Sequence, residues 1–212
     1  MSKSDQITAG TLPHPTGLVL ASSSPYRREL LSRLGVPFNW EAPSIDEAPL
    51  AGESAGELVR RLASAKAIAT ASSFPSALVI GSDQVAINGD TVLGKPGLRE
   101  AAVAQLAAAS GRKIRFLTSL CVLDSATGQR ELEVVPTDVW FRELSTRQIN
   151  HYVDWEQPYD CAGSFKVEGL GIVLFDRIVS DDPTALQGLP LISLVELLKR
   201  FAYDPLERLP PP

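Results

Sequence analysis

Residues 18–35, LVLASSSPYRRELLSRLG, predict a buried strand that turns at once into a helix. Ser24 is a suitable N-cap, and Pro25 suits the first helical position because its missing N–H would be unpaired there. Arg27 and Arg28 break the pattern, since cations near the positive end of a helix dipole cost about 0.3–1 kcal/mol. A constraint other than helix stability therefore acts on this segment.

An anion bound at this turn explains the two arginines. Backbone N–H groups at a helix start, serine hydroxyls and guanidiniums all bind phosphate. Ser22, Ser24, Arg27 and Arg28 are accordingly the predicted phosphate ligands. The alternative interpretation is a strand–turn–helix with two solvated arginines, and the serine cluster favours the phosphate site.

Composition excludes several classes of protein. The 212 residues carry a net charge of −5, whereas general nucleic-acid binders are usually basic. No apolar stretch approaches the roughly 20 residues of a membrane-spanning helix. Cys121 and Cys161 fit no zinc spacing, so we expect a reduced, cytoplasmic protein. We also expect one catalytic domain over 18–202, between a disordered segment 1–17 and a flexible tail 203–212.

Strand and helix patterns alternate along the chain, which predicts an α/β fold. Two long strand patterns, about 113–124 and 130–141, are joined by a turn and predict an antiparallel hairpin. Capping boxes at Ser54 and Ser145 predict the starts of two helices. The sheet is therefore expected to be mixed rather than purely parallel, with helices flanking it.

Asp83 is the first candidate for chemistry. It follows an apolar strand, at the position where open α/β sheets bind their ligands. A carboxylate there can ligate a divalent metal, activate water, or do both. The alternative is an aspartate that only fixes the end of the strand. Asp46 and Glu47 lie in a loop and can complete a metal site with Asp83, because Mg²⁺ often takes only one or two carboxylates plus phosphate oxygens.

Three lysines are candidate phosphate ligands: Lys66, Lys95 and Lys166. Any one of them is more often a surface lysine than a ligand. Lys166 is the strongest candidate, since it lies in a predicted loop with several glycines, which exposes backbone N–H groups. Together with the arginine pair, the three lysines can surround a polyphosphate.

The motifs SSSPYRRELL, GSDQV, GKP and CAGSFKVEGLGI occur in this order, and with them the chain resembles the Maf family of nucleotide pyrophosphatases. The resemblance covers about residues 18–200. It implies hydrolysis of a nucleoside triphosphate to the monophosphate and pyrophosphate with a divalent metal, Mg or Mn. It also implies a strongly curved sheet, similar to that of the inosine triphosphatases, with two lobes around a central cleft, and a possible homodimer.

The resemblance further implies roles for individual residues. Asp83 matches the proton acceptor of the family, Lys66 its helix lysine, and Lys95 the lysine of its Gly-Lys-Pro motif. Each of these positions coincides with a candidate identified above from the residues alone.

Three further positions distinguish branches of the family. Tyr26, Gln84 and Glu168 match the specificity positions of the branch that acts on 7-methyl-GTP. An aromatic face can stack on the cationic methylated base, and a carboxylate can accept hydrogen bonds from guanine. The alternatives are the dTTP/UTP branch and a division-linked regulatory protein that binds nucleotide without turnover.

Overall fold

The computed structural model describes residues 17–209, so the predicted disorder of 1–17 lies outside the described residues apart from Gly17. The described strands and α-helices are, in order, β1 (Leu18–Ala21), α1 (Pro25–Ser32), β2 (Phe38–Glu41), α2 (Ala55–Ala71), β3 (Leu78–Asn88), β4 (Thr91–Leu93), α3 (Arg99–Ala109), β5 (Lys113–Asp124), β6 (Arg130–Phe141), α4 (Thr146–Glu156), β7 (Phe175–Ser180) and α5 (Leu191–Arg200). Short 3₁₀ helices occupy Leu170–Leu174, Ala185–Gln187 and Pro205–Arg208.

All described strands form one mixed sheet, in the order β2-β1-β3-β5-β6-β7, with β4 paired to β3. β1 is parallel to both β2 and β3, whereas the remaining pairs are antiparallel. The mixed α/β fold expected from the sequence is therefore confirmed. Because Ala21 is paired with Gly81, the serine turn after β1 lies beside the polar residues of β3.

Helices cover both faces of the sheet because successive residues of a strand point to opposite sides. Leu18 and Leu20 pack in a core with α1 and α5, whereas Val19 and Ala21 pack against α2. Within residues 17–209, none of the helices is both long and apolar enough to cross a membrane. The two-sided core holds the end of β1 and the middle of β3 in fixed positions.

The contact between α2 and β3 is unusually close. A Cβ atom at Gly81 would lie 2.1 Å from the carbonyl oxygen of Ala63 on α2, so only glycine fits there. The start of α2 is fixed by the predicted capping box, in which Ser54 accepts from Glu57 N and Glu57 accepts from Ser54 N. This close packing brings the side chains of α2 against the polar residues that follow Gly81.

The segment after α5, in which a flexible tail 203–212 is expected, makes contacts with the core. Tyr203 is buried in the core that contains α5, and the guanidinium of Arg208 lies 4.8 Å from its ring centroid. Asp204 caps the following 3₁₀ helix by accepting from Leu206 N at 2.9 Å. Residues 203–209 therefore pack through an aromatic anchor and a cap, and the last three residues of the predicted tail, 210–212, lie outside the described residues.

Candidate active site

Lys66 lies between two carboxylates. Its Nζ is 2.7 Å from Asp83 Oδ1 on β3 and 2.9 Å from Glu47 Oε1 in the loop before α2. Lys66 is 6% exposed and Asp83 is 7% exposed. A buried charge is tolerated only when it is paired, so this cluster is a specific arrangement and not a solvated surface.

The environment shifts the pKa values of Asp83 and Glu47 in opposite directions. Burial raises the pKa of Asp83 above its ordinary value, although the charge and hydrogen bond of Lys66 and the charge of Arg27 act against it. Burial also acts to raise the pKa of Glu47, but Lys66, Lys95 and Arg27 together bring it below its ordinary value. Asp83 is therefore the more basic of the two and the better proton acceptor.

Arg27 completes this cluster. Its Nε donates to the carbonyl oxygen of Gly188 at 2.8 Å. Burial lowers the pKa of Arg27, while the charges of Asp83 and Glu47 raise it, so the guanidinium lies within electrostatic reach of both carboxylates. We call Asp83, Lys66, Glu47 and Arg27 the carboxylate cluster.

The serine turn shapes the start of α1 beside this cluster. Ser24 is the N-cap and its Oγ accepts from Arg27 N at 3.4 Å. Ser22 is buried, and its Oγ accepts from Ser24 N at 3.1 Å. The turn predicted from the sequence is therefore built by hydrogen bonds between the serines and the backbone.

The second arginine and the second lysine lie at the margin of the cluster. Arg28 stacks on the ring of Trp40 on β2, with its guanidinium carbon 4.1 Å from the ring centroid. Lys95 is exposed in the segment after β4 and acts on Glu47 through its charge. Within the cluster, Lys66 contacts both carboxylates directly and Arg27 acts on them through its charge, whereas Arg28 and Lys95 lie at its edge.

A second group of residues surrounds Tyr26. Burial raises the pKa of Tyr26, and Cys161, Asp160 and Glu168 raise it further, while Lys166 lowers it. Tyr26 on α1 therefore lies within electrostatic reach of the irregular segment between α4 and the 3₁₀ helix Leu170–Leu174. We call Tyr26, Lys166 and Glu168 the tyrosine cluster.

The segment that carries Lys166 is tied to α4. The Nζ of Lys166 donates to the carbonyl oxygen of Glu156 at 3.1 Å, and its backbone N donates to the hydroxyl of Tyr152 at 3.0 Å. The charge of the Lys166 ammonium acts on Tyr26, and the predicted role of Lys166 as a phosphate ligand stays a prediction. Burial raises the pKa of Glu168, and Lys166 partly offsets this effect.

Gln84 does not join the tyrosine cluster. Its Nε2 lies 2.8 Å from Thr118 Oγ1, 2.9 Å from the carbonyl oxygen of Ala185 and 3.2 Å from that of Leu186. The amide nitrogen has two hydrogens and three acceptors, so its donor capacity is used within the protein. The specificity role implied for Gln84 stays a prediction.

Asp83, Glu47 and Asp46 are the carboxylates predicted to hold a metal. Within residues 17–209, no group of three or more His, Cys, Asp or Glu side chains is arranged to hold a metal. Asp46 Oδ1 accepts from Ala48 N at 2.9 Å, which gives it a role in the loop. Asp83 and Glu47, however, already converge on the Lys66 ammonium. Two convergent carboxylate oxygens fit Mg²⁺ or Mn²⁺ that takes its other ligands from phosphate and water.

Sequence reasoning missed the partners of Arg27. Ser82 Oγ donates to the same Gly188 carbonyl at 2.8 Å, and 161 positions separate Arg27 from Gly188. Gly188 has a φ of +99°, a conformation that favours glycine. The sequence feature that relates to the Arg27–Gly188 contact is Gly188 itself, which stands before Leu-Pro just ahead of α5.

The fold and the site define a mixed α/β protein in which a serine turn and an arginine at a helix start lie beside a buried carboxylate and lysine. The chain belongs to the Maf-like protein family, whose model matches residues 17–201. It is 54% identical to a 7-methyl-GTP pyrophosphatase of Nitrosococcus oceani over 191 residues, 90% of this chain and 96% of the relative. It is 57% identical to a protein of that name from Pseudomonas putida over 183 residues, 86% of this chain and 95% of the relative. A Pseudomonas aeruginosa protein of that name is 55% identical over 85% of this chain and 94% of its own length.

Proposed function

We propose that this protein hydrolyses 7-methyl-GTP to the monophosphate and pyrophosphate. The observation that carries the proposal is the carboxylate cluster, in which a buried carboxylate with a raised pKa contacts Lys66 and faces Arg27 at a helix start. The names of the relatives support the same activity and the same substrate.

Asp83 acts as the proton acceptor. A water attacks the α-phosphorus and passes a proton to the carboxylate of Asp83, while the bond from the α-phosphorus to the bridging oxygen breaks and pyrophosphate leaves. Lys66 orients this carboxylate through its 2.7 Å contact. A general base of this kind contributes about 10²–10⁴ in rate, and a carboxylate of raised pKa is better suited to the role.

Cationic groups stabilise the charge that develops on the phosphates. Arg27 and Lys95 supply this charge from the protein, and Ser22 and Ser24 shape the turn that presents backbone N–H groups. A divalent cation, Mg or Mn, held by Asp83 and Glu47 would add Lewis-acid neutralisation of the phosphate oxygens when bound. Glu47 suits this role because its lowered pKa keeps it ionised.

The tyrosine cluster recognises the base. The 7-methylguanine ring carries a positive charge, and stacking on Tyr26 stabilises such a cation by about 0.5–2 kcal/mol. Glu168 accepts hydrogen bonds from the Watson–Crick edge of guanine. The two residues share one electrostatic environment with Lys166, which supports a common role.

Pyrophosphate release from a panel of nucleotides tests the proposal. With Mg²⁺, wild-type protein is expected to prefer 7-methyl-GTP over GTP, dTTP, UTP, CTP and ATP. A preference for dTTP and UTP would keep the mechanism and overturn the assigned substrate. Tight binding without release from any nucleotide would favour a regulatory protein that binds nucleotide without turnover.

We further propose that the protein works in the cytoplasm, which its free cysteines, Cys121 and Cys161, support. The homodimer implied by the family resemblance stays a prediction, and size-exclusion chromatography with light scattering measures it directly.

A further inference from the structure

We propose that Ser82 and segment 182–191 position Arg27 for phosphate binding, an inference that rests on the proposed function. Gly188 O accepts two hydrogen bonds, from Arg27 Nε and from Ser82 Oγ, each at 2.8 Å. Ser82 is fully buried and directly precedes Asp83 on β3. One carbonyl therefore links the strand of the proton acceptor to the arginine at the start of α1.

The position of this carbonyl is fixed by a buried carboxylate. Asp182 Oδ1 accepts from Thr184 N at 3.0 Å, and Asp182 Oδ2 accepts from Ile192 N at 2.7 Å and from Ser193 N at 3.2 Å. Asp182 thus joins its own turn to the first turn of α5, where a negative charge is favourable. The segment between these two points has little freedom to move.

A second set of bonds fixes the same segment to the sheet. The hydroxyl of Thr118 and the amide of Gln84 both donate to the carbonyl oxygen of Ala185, each at 2.9 Å. Ser82 and Gln84 point to the same face of β3, since they are two residues apart. Asp83 lies between them and points to α2 and Lys66. One strand therefore positions the proton acceptor on one face and the support of Arg27 on the other.

The guanidinium needs this support because of its shape. Arginine has five donors in a rigid plane, so holding Nε fixes the direction of both terminal nitrogens. Gly188 leaves just enough room: a Cβ atom there would lie 3.2 Å from Arg27 Nε. The terminal nitrogens are thus free to serve phosphate oxygens while Nε is held by the backbone. Ser82 and Gly188 are positioning residues, and Arg27 is the residue that touches the substrate.

A double-mutant cycle tests the inference. Ser82→Ala is expected to raise the KM for 7-methyl-GTP and the Kd for inorganic pyrophosphate by about fivefold, the effect of one lost hydrogen bond. If Ser82 acts through Arg27, Ser82→Ala has no further effect in the Arg27→Met background. A merely structural role of Ser82 would produce the same loss in both backgrounds and would overturn the inference.

Two further variants complete the experiment. Ser125→Ala is the matched control, because Ser125 Oγ also donates to a backbone carbonyl, that of Phe74, beyond the opposite end of β3. It is expected to leave KM and Kd unchanged. Gly188→Ala is expected to weaken pyrophosphate binding more than Ser82→Ala, since it displaces Arg27 Nε directly.

Calorimetric binding of inorganic pyrophosphate separates this inference from the proposed function. Wild-type protein that binds pyrophosphate but hydrolyses no nucleotide would defeat the proposed function and still allow the binding cycle to be completed. Wild-type values of both KM and Kd in Ser82→Ala, with hydrolysis intact, would defeat the inference alone. Wild-type protein that fails to bind pyrophosphate would defeat the inference as well, because no phosphate site would exist for Arg27 to serve.

Discussion

The carboxylate cluster and the tyrosine cluster are built in different ways. Asp83 and Lys66 lie on a central strand and on the helix packed against it, and they are joined by a direct 2.7 Å contact. Lys166 and Glu168 lie in an irregular segment between α4 and a 3₁₀ helix, and they act on Tyr26 through charge. One cluster is buried on regular elements, whereas the other is carried largely by a loop.

The difference indicates that one cluster serves bond cleavage and the other the choice of nucleotide. Sites on strands and helices hold their geometry more tightly than sites on loops, and bond cleavage depends on tight geometry. A loop can change in sequence without disturbing the sheet. Changes in the carboxylate cluster should therefore slow hydrolysis of every nucleotide equally, and changes in the tyrosine cluster should alter the ratio between nucleotides.

The largest effect is expected for Asp83→Asn. Loss of the proton acceptor should lower kcat by about 10³-fold for 7-methyl-GTP and for GTP alike. Pyrophosphate release measures the rate, and circular dichroism checks the fold. Asp124→Asn is the matched control, since Asp124 is also a buried aspartate of the sheet, at the end of β5, and its Oδ1 accepts from Ala126 N. A loss below tenfold in Asp83→Asn would remove Asp83 from this role.

Lys66→Met should produce the largest loss of stability. It leaves Asp83 buried beside one fewer cation, and breaking a buried pair costs about 3 kcal/mol in the free energy of unfolding. Urea unfolding measures this change, and the added substitution Asp83→Asn should restore part of it by removing the charge.

The control for Lys66→Met is Lys113→Met. Lys113 also pairs with an aspartate, Asp138 at 3.3 Å, but its side chain is 44% exposed. An exposed pair contributes at most about 1 kcal/mol. Equal losses of unfolding free energy in Lys66→Met and Lys113→Met would show that the Lys66–Asp83 pair contributes no more than a surface pair. The carboxylate cluster would then not be the more rigid of the two clusters.

Much of the carboxylate cluster was predictable from the sequence. The capping residues Ser24 and Ser54 fix the starts of two helices, and local patterns of this kind encode helix positions directly. The rule that ligands bind beyond strand ends pointed to Asp83. The predicted position relative to the strand was wrong, because β3 continues to Asn88 and Asp83 lies within it. Lys66 was identified on the helix pattern that packs on this strand.

Other contacts were not predictable because they join distant parts of the chain. Arg27 and Gly188 are 161 residues apart, and the sequence around either residue does not predict a contact with the other. The stacking of Arg28 on Trp40 depends on the parallel pairing of β1 and β2, which the sequence does not specify by itself. The packing of the chain near Tyr203 likewise depends on a single aromatic side chain that reaches the core.

Glu168→Gln tests the tyrosine cluster through pH. Burial raises the pKa of Glu168 above its ordinary value, so its carboxylate form is present above that pKa and is lost as the pH falls through it. The ratio of kcat/KM for 7-methyl-GTP to that for GTP should therefore fall as the pH is lowered through the pKa of Glu168.

The comparison with the variant isolates the carboxylate. Glu168→Gln should have the low ratio at every pH, because its amide does not titrate. Using a ratio cancels the pH dependence of the carboxylate cluster, which both substrates share. A ratio of kcat/KM values in Glu168→Gln equal to that of the wild type would show that Glu168 does not distinguish the two bases.

Trp40→Ala should give the smallest effect, and it decides to which cluster Arg28 belongs. The guanidinium of Arg28 lies 4.1 Å from the ring centroid of Trp40, whose side chain is about half exposed. A cation–π contact at such a site is worth about 0.5–1 kcal/mol, so KM should rise by about two- to fivefold and Trp40→Phe should recover part of it. Trp155→Ala, which removes an exposed tryptophan from α4, is the control.

An equal rise in KM for all nucleotides would place Arg28 with the carboxylate cluster, because all nucleotides carry the phosphates. A rise confined to 7-methyl-GTP would place it with the tyrosine cluster, and an unchanged KM would show that the stack does not hold Arg28 for the substrate.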